Sequence, residues 1–189
     1  MQLIVPAVRV VEISRIMDEA LRLLGIGPGA DDAESRLVGA LEQMAVASTC
    51  GLLKEAILKH HDEKKDHLLK IEGVFAELGE RATRKTSEAT IALLYESHEV
   101  TSTFGGFPVI NAALIASLQK IEHYEIASYG CLRDWAAVLG LPAVADTLQK
   151  ILDQDKATNR ALTELARTRS NREALNEEAI REVLSTTKL

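Results

Sequence analysis

The run Lys120-Ile121-Glu122-His123-Tyr124-Glu125-Ile126-Ala127-Ser128-Tyr129-Gly130 lies in the middle of a long helical pattern. Around it Leu114, Leu118, Ile121, Glu125, Ser128, Leu132, Trp135 and Leu139 recur at steps of three and four. That spacing lines one face of a helix toward a core. Glu125 stands where a leucine is expected, and Glu122 lies three residues earlier on the flank of the same face. A carboxylate removed from water without a partner protonates or recruits a cation. Two at this spacing therefore read as metal ligands. The alternative is a solvated Glu122 and a Glu125 paired with a core His or Arg.

The same anomaly recurs in three further helical patterns. Predicted helices cover 31–48, 52–78, 109–139 and 142–166, and each sets one acid into its apolar stripe: Glu34, Glu63, Glu125 and Asp155. The second stripe reads Leu53, Ile57, His60, Glu63, His67, Ile71, Val74, Phe75 and Leu78, polar at three consecutive positions. In the fourth, Asp155 follows Val144, Leu148, Ile151 and Leu152 and precedes Leu162 and Leu165. One buried acid per helix of a four-helix bundle is the arrangement of carboxylate-bridged dinuclear metal proteins. Oxygen ligands with some imidazole suit Fe or Mn better than Zn or Cu.

Composition sets the frame. The chain has 189 residues, 4% of them aromatic, with only four prolines. Rich in Ala, Leu, Glu and Lys, it reads as all-α and long enough for one full core. A net charge of −6 without a clustered Lys/Arg stripe gives no footprint for nucleic acid. No apolar run approaches a membrane span, and residues 1–11 lack the pattern of a secretory signal. Cys50 and Cys131, in no CxxC arrangement, fit free thiols in a reducing cytoplasm. The expected organisation is an N-terminal helix with a Gly/Pro break over 1–30, a bundle over 31–168, and a helical tail over 169–189. Gly25-Ile26-Gly27-Pro28-Gly29 supplies the first boundary. Within the first segment a helix is expected over 8–24; a short helix over 87–100 precedes the turn Gly105-Gly106-Phe107-Pro108.

The segment from Ala112-Ala113-Leu114-Ile115 through Glu122-His123-Tyr124-Glu125-Ile126-Ala127 to Gly130 resembles the YciE/YciF-type ferritin-like stress-protein family. Residues 132–141, 148–156, 162–166 and 71–79 carry the same likeness, which spans about 31 to 168. It implies a ferritin-like antiparallel four-helix bundle with a short helix between its two hairpins, a homodimer, and a stress-response role. On that family's pattern Glu34 matches the acid of the first helix, and Glu63 the second acid of a Glu-Glu-Thr run. His67 matches a His or Gln one turn later, and Glu122 and Glu125 match the third-helix pair. Asp155 stands where the family has Glu, and Asn159 where it often has Asp.

Those departures leave two functions open. In one, Glu34, Glu63, His67, Glu122, Glu125 and Asp155 hold a dinuclear Fe or Mn centre that performs ferroxidase- or peroxidase-type redox chemistry. In the other, the site is degenerate and the bundle is a structural or interaction homodimer. Asp31-x-x-Glu34 reads equally well as a capping box. His60 and His61 point about 100° apart on a helix and cannot share one ion. His60 is expected to support a ligand and His61 to face solvent. Tyr124 and Tyr129 neighbour the acids, and Trp135 is expected in the core.

Overall fold

The computed structural model describes residues 15–17, 19–21, 33–79, 87–176 and 185. All regular secondary structure among them is helical. The order is α1 (Ala33–Ala47), α2 (Gly51–Leu78), α3 (Glu88–Phe104), α4 (Ile110–Val138) and α5 (Pro142–Leu165). A π-helical turn, Ala166–Ser170, then carries α5 on into the short α6 (Asn171–Ala174). The helical tail expected over 169–189 thus begins as a continuation of α5, and most of it lies outside the described residues. So do residues 80–86 and most of the helix expected over 8–24. Of that helix the described part is helical, with Met17, Ala20 and Leu21 buried. Among the described residues no helix is long and apolar enough to cross a membrane.

Local chemistry sets the helix ends. Gly79 closes α2 in the left-handed region (φ 69°), where its N–H meets the last-turn carbonyls of Ala76 and Phe75. Gly140 does the same after α4 (φ 76°), and Pro142 opens α5 at the position that needs no N–H donor. The Ser87 hydroxyl caps α3 by accepting from the Thr90 N–H. It also meets the Tyr124 hydroxyl at 3.2 Å, so that tyrosine ties α4 to the start of α3.

The α1–α2 connection is fastened from outside. Asn111, on the first turn of α4, accepts at its Oδ1 from the Thr49 and Cys50 N–H groups and the Ser48 hydroxyl. Its Nδ2 donates to the Thr49 hydroxyl at 2.8 Å. Asn111→Leu would strand the buried Cys50 N–H and leave the part-buried Thr49 N–H without its acceptor, at about 1–3 kcal/mol. A drop of that size in urea-unfolding free energy, with the denaturant slope unchanged, is the expected result.

Helix α1 packs along α2, α5 along α4, and α2 and α5 face each other. Two apolar clusters result. One joins Met17 and Leu21 to the C-terminal half of α2, Leu132 and Ala136 of α4, and the N-terminal half of α5. The other joins Leu37, Leu41 and Met44 of α1 to Leu53 and Ile57 of α2, Leu114 and Leu118 of α4, and Leu162 of α5. Residues 60–67 of α2, 122–125 of α4 and 155 of α5 fall between the clusters. They form a layer of charge inside an otherwise apolar interior.

Trp135 departs from expectation, being 46% exposed. The inward path runs from Leu132 to Ala136, four residues on, which turns position 135 outward.

Candidate metal centre

The inward face of α2 follows 57, 60, 64, 67, 71, 74 and 78, a regular alternation of three and four. Lys64 rather than Glu63 therefore points to the centre, and it is fully buried. Its ammonium has three donors and meets three acceptors on three helices. Asp155 Oδ1 of α5 is 2.8 Å away, Glu125 Oε2 of α4 3.1 Å, and His67 Nδ1 of α2 3.3 Å. The partners of His67 fix its tautomer. Nε2 lies 3.2 Å from Gln154 Oε1, which also accepts from the Lys70 ammonium. An oxygen already accepting there calls for a proton on Nε2, leaving the Nδ1 lone pair for Lys64. The ring also stands edge-on to Tyr129, with centroids 6.4 Å apart.

A second cation comes from His60. Its Nε2 is 2.6 Å from Glu122 Oε1, in ion-pair contact but without the alignment of a directed hydrogen bond. Its Nδ1 is 3.6 Å from Glu63 Oε2. Burial is the largest influence on this ring and opposes its charge. Glu122 and Glu63 outweigh it and hold the imidazole above its ordinary range. Glu63 lies at the edge of the layer, its side chain 18% exposed. His60 beside it is the main reason that its carboxyl is held down to about 2; Lys59 at 2.8 Å and the Thr158 hydroxyl at 3.2 Å add to the effect.

Glu122 and Asp155 are fully buried and Glu125 nearly so. One oxygen from each of the three lies within 4.8 Å of the others, close enough to hold a metal ion. Glu122 Oε2 is buried with no hydrogen-bond partner. Glu34 falls in the first turn of α1, and its side chain lies outside the described residues. His61, expected in solvent, is buried and sits 3.1 Å from Glu42 Oε1 and 3.0 Å from Asp62 Oδ1.

The donor set is rich in oxygen, as a site for Fe or Mn would be, but it encloses an ammonium. An ion held by Glu125 and Asp155 would have to share these carboxylates with Lys64. The sequence reading missed Lys64 and underrated His60. The heptad-like spacing of 57, 60, 64, 67 and 71 was the available signal for both.

Helices that gather carboxylates, imidazoles and an amine into one buried layer define a helical protein with a charged core. The chain belongs to the family described as "Domain of unknown function (DUF892)", whose model matches residues 30–175. It is 37% identical over 145 residues to Protein YciF of Escherichia coli (strain K12), covering 76% of this chain and 87% of that one. The crystal structure of the E. coli stress protein YciF superposes with a TM-score of 0.75 at 34% identity, covering 84% of this chain and 97% of that one. YcfI from Rhodopseudomonas palustris, for which a structural role is suggested, gives 0.72 at 28% identity over 80% and 92% of the two chains. A Xanthomonas campestris protein shares the fold, with a TM-score of 0.63 at 17% identity over 88% and 99%.

Proposed function

We propose that this chain is a stress-response member of the YciF family acting as a structural or interaction protein, with its buried site neutralised by its own side chains. The observation that carries this reading is the Lys64 ammonium, 2.8 Å from Asp155 and 3.1 Å from Glu125. The His60–Glu122 contact supports it, as does the structural role suggested for the R. palustris relative. In this reading residues 31–168 form a ferritin-like antiparallel four-helix bundle, α1, α2, α4 and α5. Helix α3 lies between the two hairpins, 1–30 adds an N-terminal helix, and 169–189 is a tail. The protein works in the cytoplasm as a homodimer, without membrane or nucleic-acid partners.

A second reading is favoured by the convergence of Glu122, Glu125 and Asp155 and by the unpartnered Glu122 Oε2. There the centre is a dinuclear Fe or Mn site with Glu34, Glu63, His67, Glu122, Glu125 and Asp155 as ligands. The ions would supply ferroxidase- or peroxidase-type redox chemistry, and Lys64 would have to swing away. Metal analysis of protein purified from cells grown with added iron and manganese separates the two. The expected result is far less than one ion per chain, and no rise in Tm on adding Fe(II) or Mn(II). One or more ions per chain, lost in Asp155→Asn, would establish the second reading instead.

A further inference from the structure

We infer that Lys64 is a tethered substitute for a metal ion, and that removing its charge opens a site for one divalent cation of the oxygen-preferring class. The inference rests on the ion-paired reading above and extends it. An ammonium held by acceptors from α2, α4 and α5 does what a metal does in such a layer. It carries positive charge to the point where carboxylates from different helices converge, donating to Asp155 Oδ1 and forming an ion pair with Glu125 Oε2. Its three acceptors are two carboxylate oxygens and an imidazole nitrogen, all groups that ligate Mn or Fe.

A second observation marks the same place as a binding site. Glu122 is fully buried, reaches within 4.8 Å of Glu125 and Asp155, and leaves Oε2 without a hydrogen-bond partner. Glu122 thus brings a third buried carboxylate within reach of the two that the ammonium joins. Four carboxylates, Glu63, Glu122, Glu125 and Asp155, surround Lys64 and the raised imidazole of His60, so the layer has negative charge to spare. With Lys64 in place a divalent ion meets a fixed positive charge among its own ligands. With the side chain cut back to Ala, the ligands remain and the space of the lysine stem is released for an ion and its water.

The test uses Mn(II) alone on the full chain, read by equilibrium dialysis, by the spin-resonance signal of free against bound Mn(II), and by Tm. Wild type is expected to take up no ion at the centre. Lys64→Ala is expected to bind one per chain, at least about 100-fold more tightly than wild type. A unit charge about 4 Å from a divalent ion opposes binding by that much or more at protein-like dielectric. Its Tm should fall without metal and rise with Mn(II), and Lys64→Ala/Asp155→Asn should lose the gain. If Lys64→Ala does not fold alone, it is refolded with and without Mn(II), and folding only with Mn(II) counts as binding. Absence of uptake in Lys64→Ala under either condition overturns this inference but leaves the ion-paired reading standing. Uptake by wild type that depends on Asp155 overturns both.

Discussion

Lys64→Met is expected to destabilise the protein by about 3–5 kcal/mol in urea unfolding at neutral pH, because it removes one partner from a buried ion-pair set. Met nearly matches the lysine stem in volume, so little of the loss comes from packing. The loss comes from Asp155 Oδ1 and Glu125 Oε2, which no longer have the ammonium at 2.8 and 3.1 Å. Both groups lie between two apolar clusters, where water cannot replace the missing donor. The counter-test removes all three charges together. Lys64→Met/Glu125→Leu/Asp155→Leu is expected to be neutral, or more stable than wild type by about 1–4 kcal/mol, since an apolar layer avoids the desolvation of the ions. A Lys64→Met loss below about 0.5 kcal/mol, the ordinary range for a surface substitution, would mean that Lys64 does not neutralise these acids. The two variants together separate the cost of an orphaned charge from the net contribution of the set.

The helices were readable because their signals are local. Gly79, Gly140 and Pro142 mark ends through backbone conformation alone. The alternation of Leu114, Leu118, Ile121 and Leu132 announces the buried face of α4. Glu125 and Asp155 were legible for the same reason, as acids occupying apolar positions. Lys64 was not, and two physical facts explain it. A helical repeat of 3.6 lets a stripe pass from 60 to 67 through either 63 or 64, and a lysine is almost never fully buried without a partner. Its partner Asp155 is 91 positions away along the chain, so the justification for burying it exists only once α2 and α5 meet. His61 was misjudged likewise, since what covers it includes Glu42 of α1. A site made of side chains that neutralise each other is harder to read than one that needs an outside ion, because each half looks wrong alone.

Stability should peak on the acid side of neutrality, and His60 should set the alkaline limb of that profile. Its pKa is raised in the folded state above the ordinary 6.5. The folded chain therefore binds this proton more tightly than the unfolded one. The stabilisation is complete below about pH 6.5 and fades as pH climbs through the higher folded value. Glu63 behaves oppositely, with a folded value near 2 against an ordinary 4.5. Its contribution is present above about pH 4.5 and is lost as pH falls toward 2. Both act fully together only between those ordinary values, from about 4.5 to 6.5. His60→Leu removes the first effect and leaves Glu122, fully buried, without its 2.6 Å partner. The expected cost is about 3–5 kcal/mol near pH 6, the range for breaking a buried pair from one side. The difference between wild type and His60→Leu should narrow steadily as pH rises above neutrality, because the wild-type ring then gives up its proton. Parallel Tm curves from pH 5 to 9 would show that the His60–Glu122 contact carries no charge.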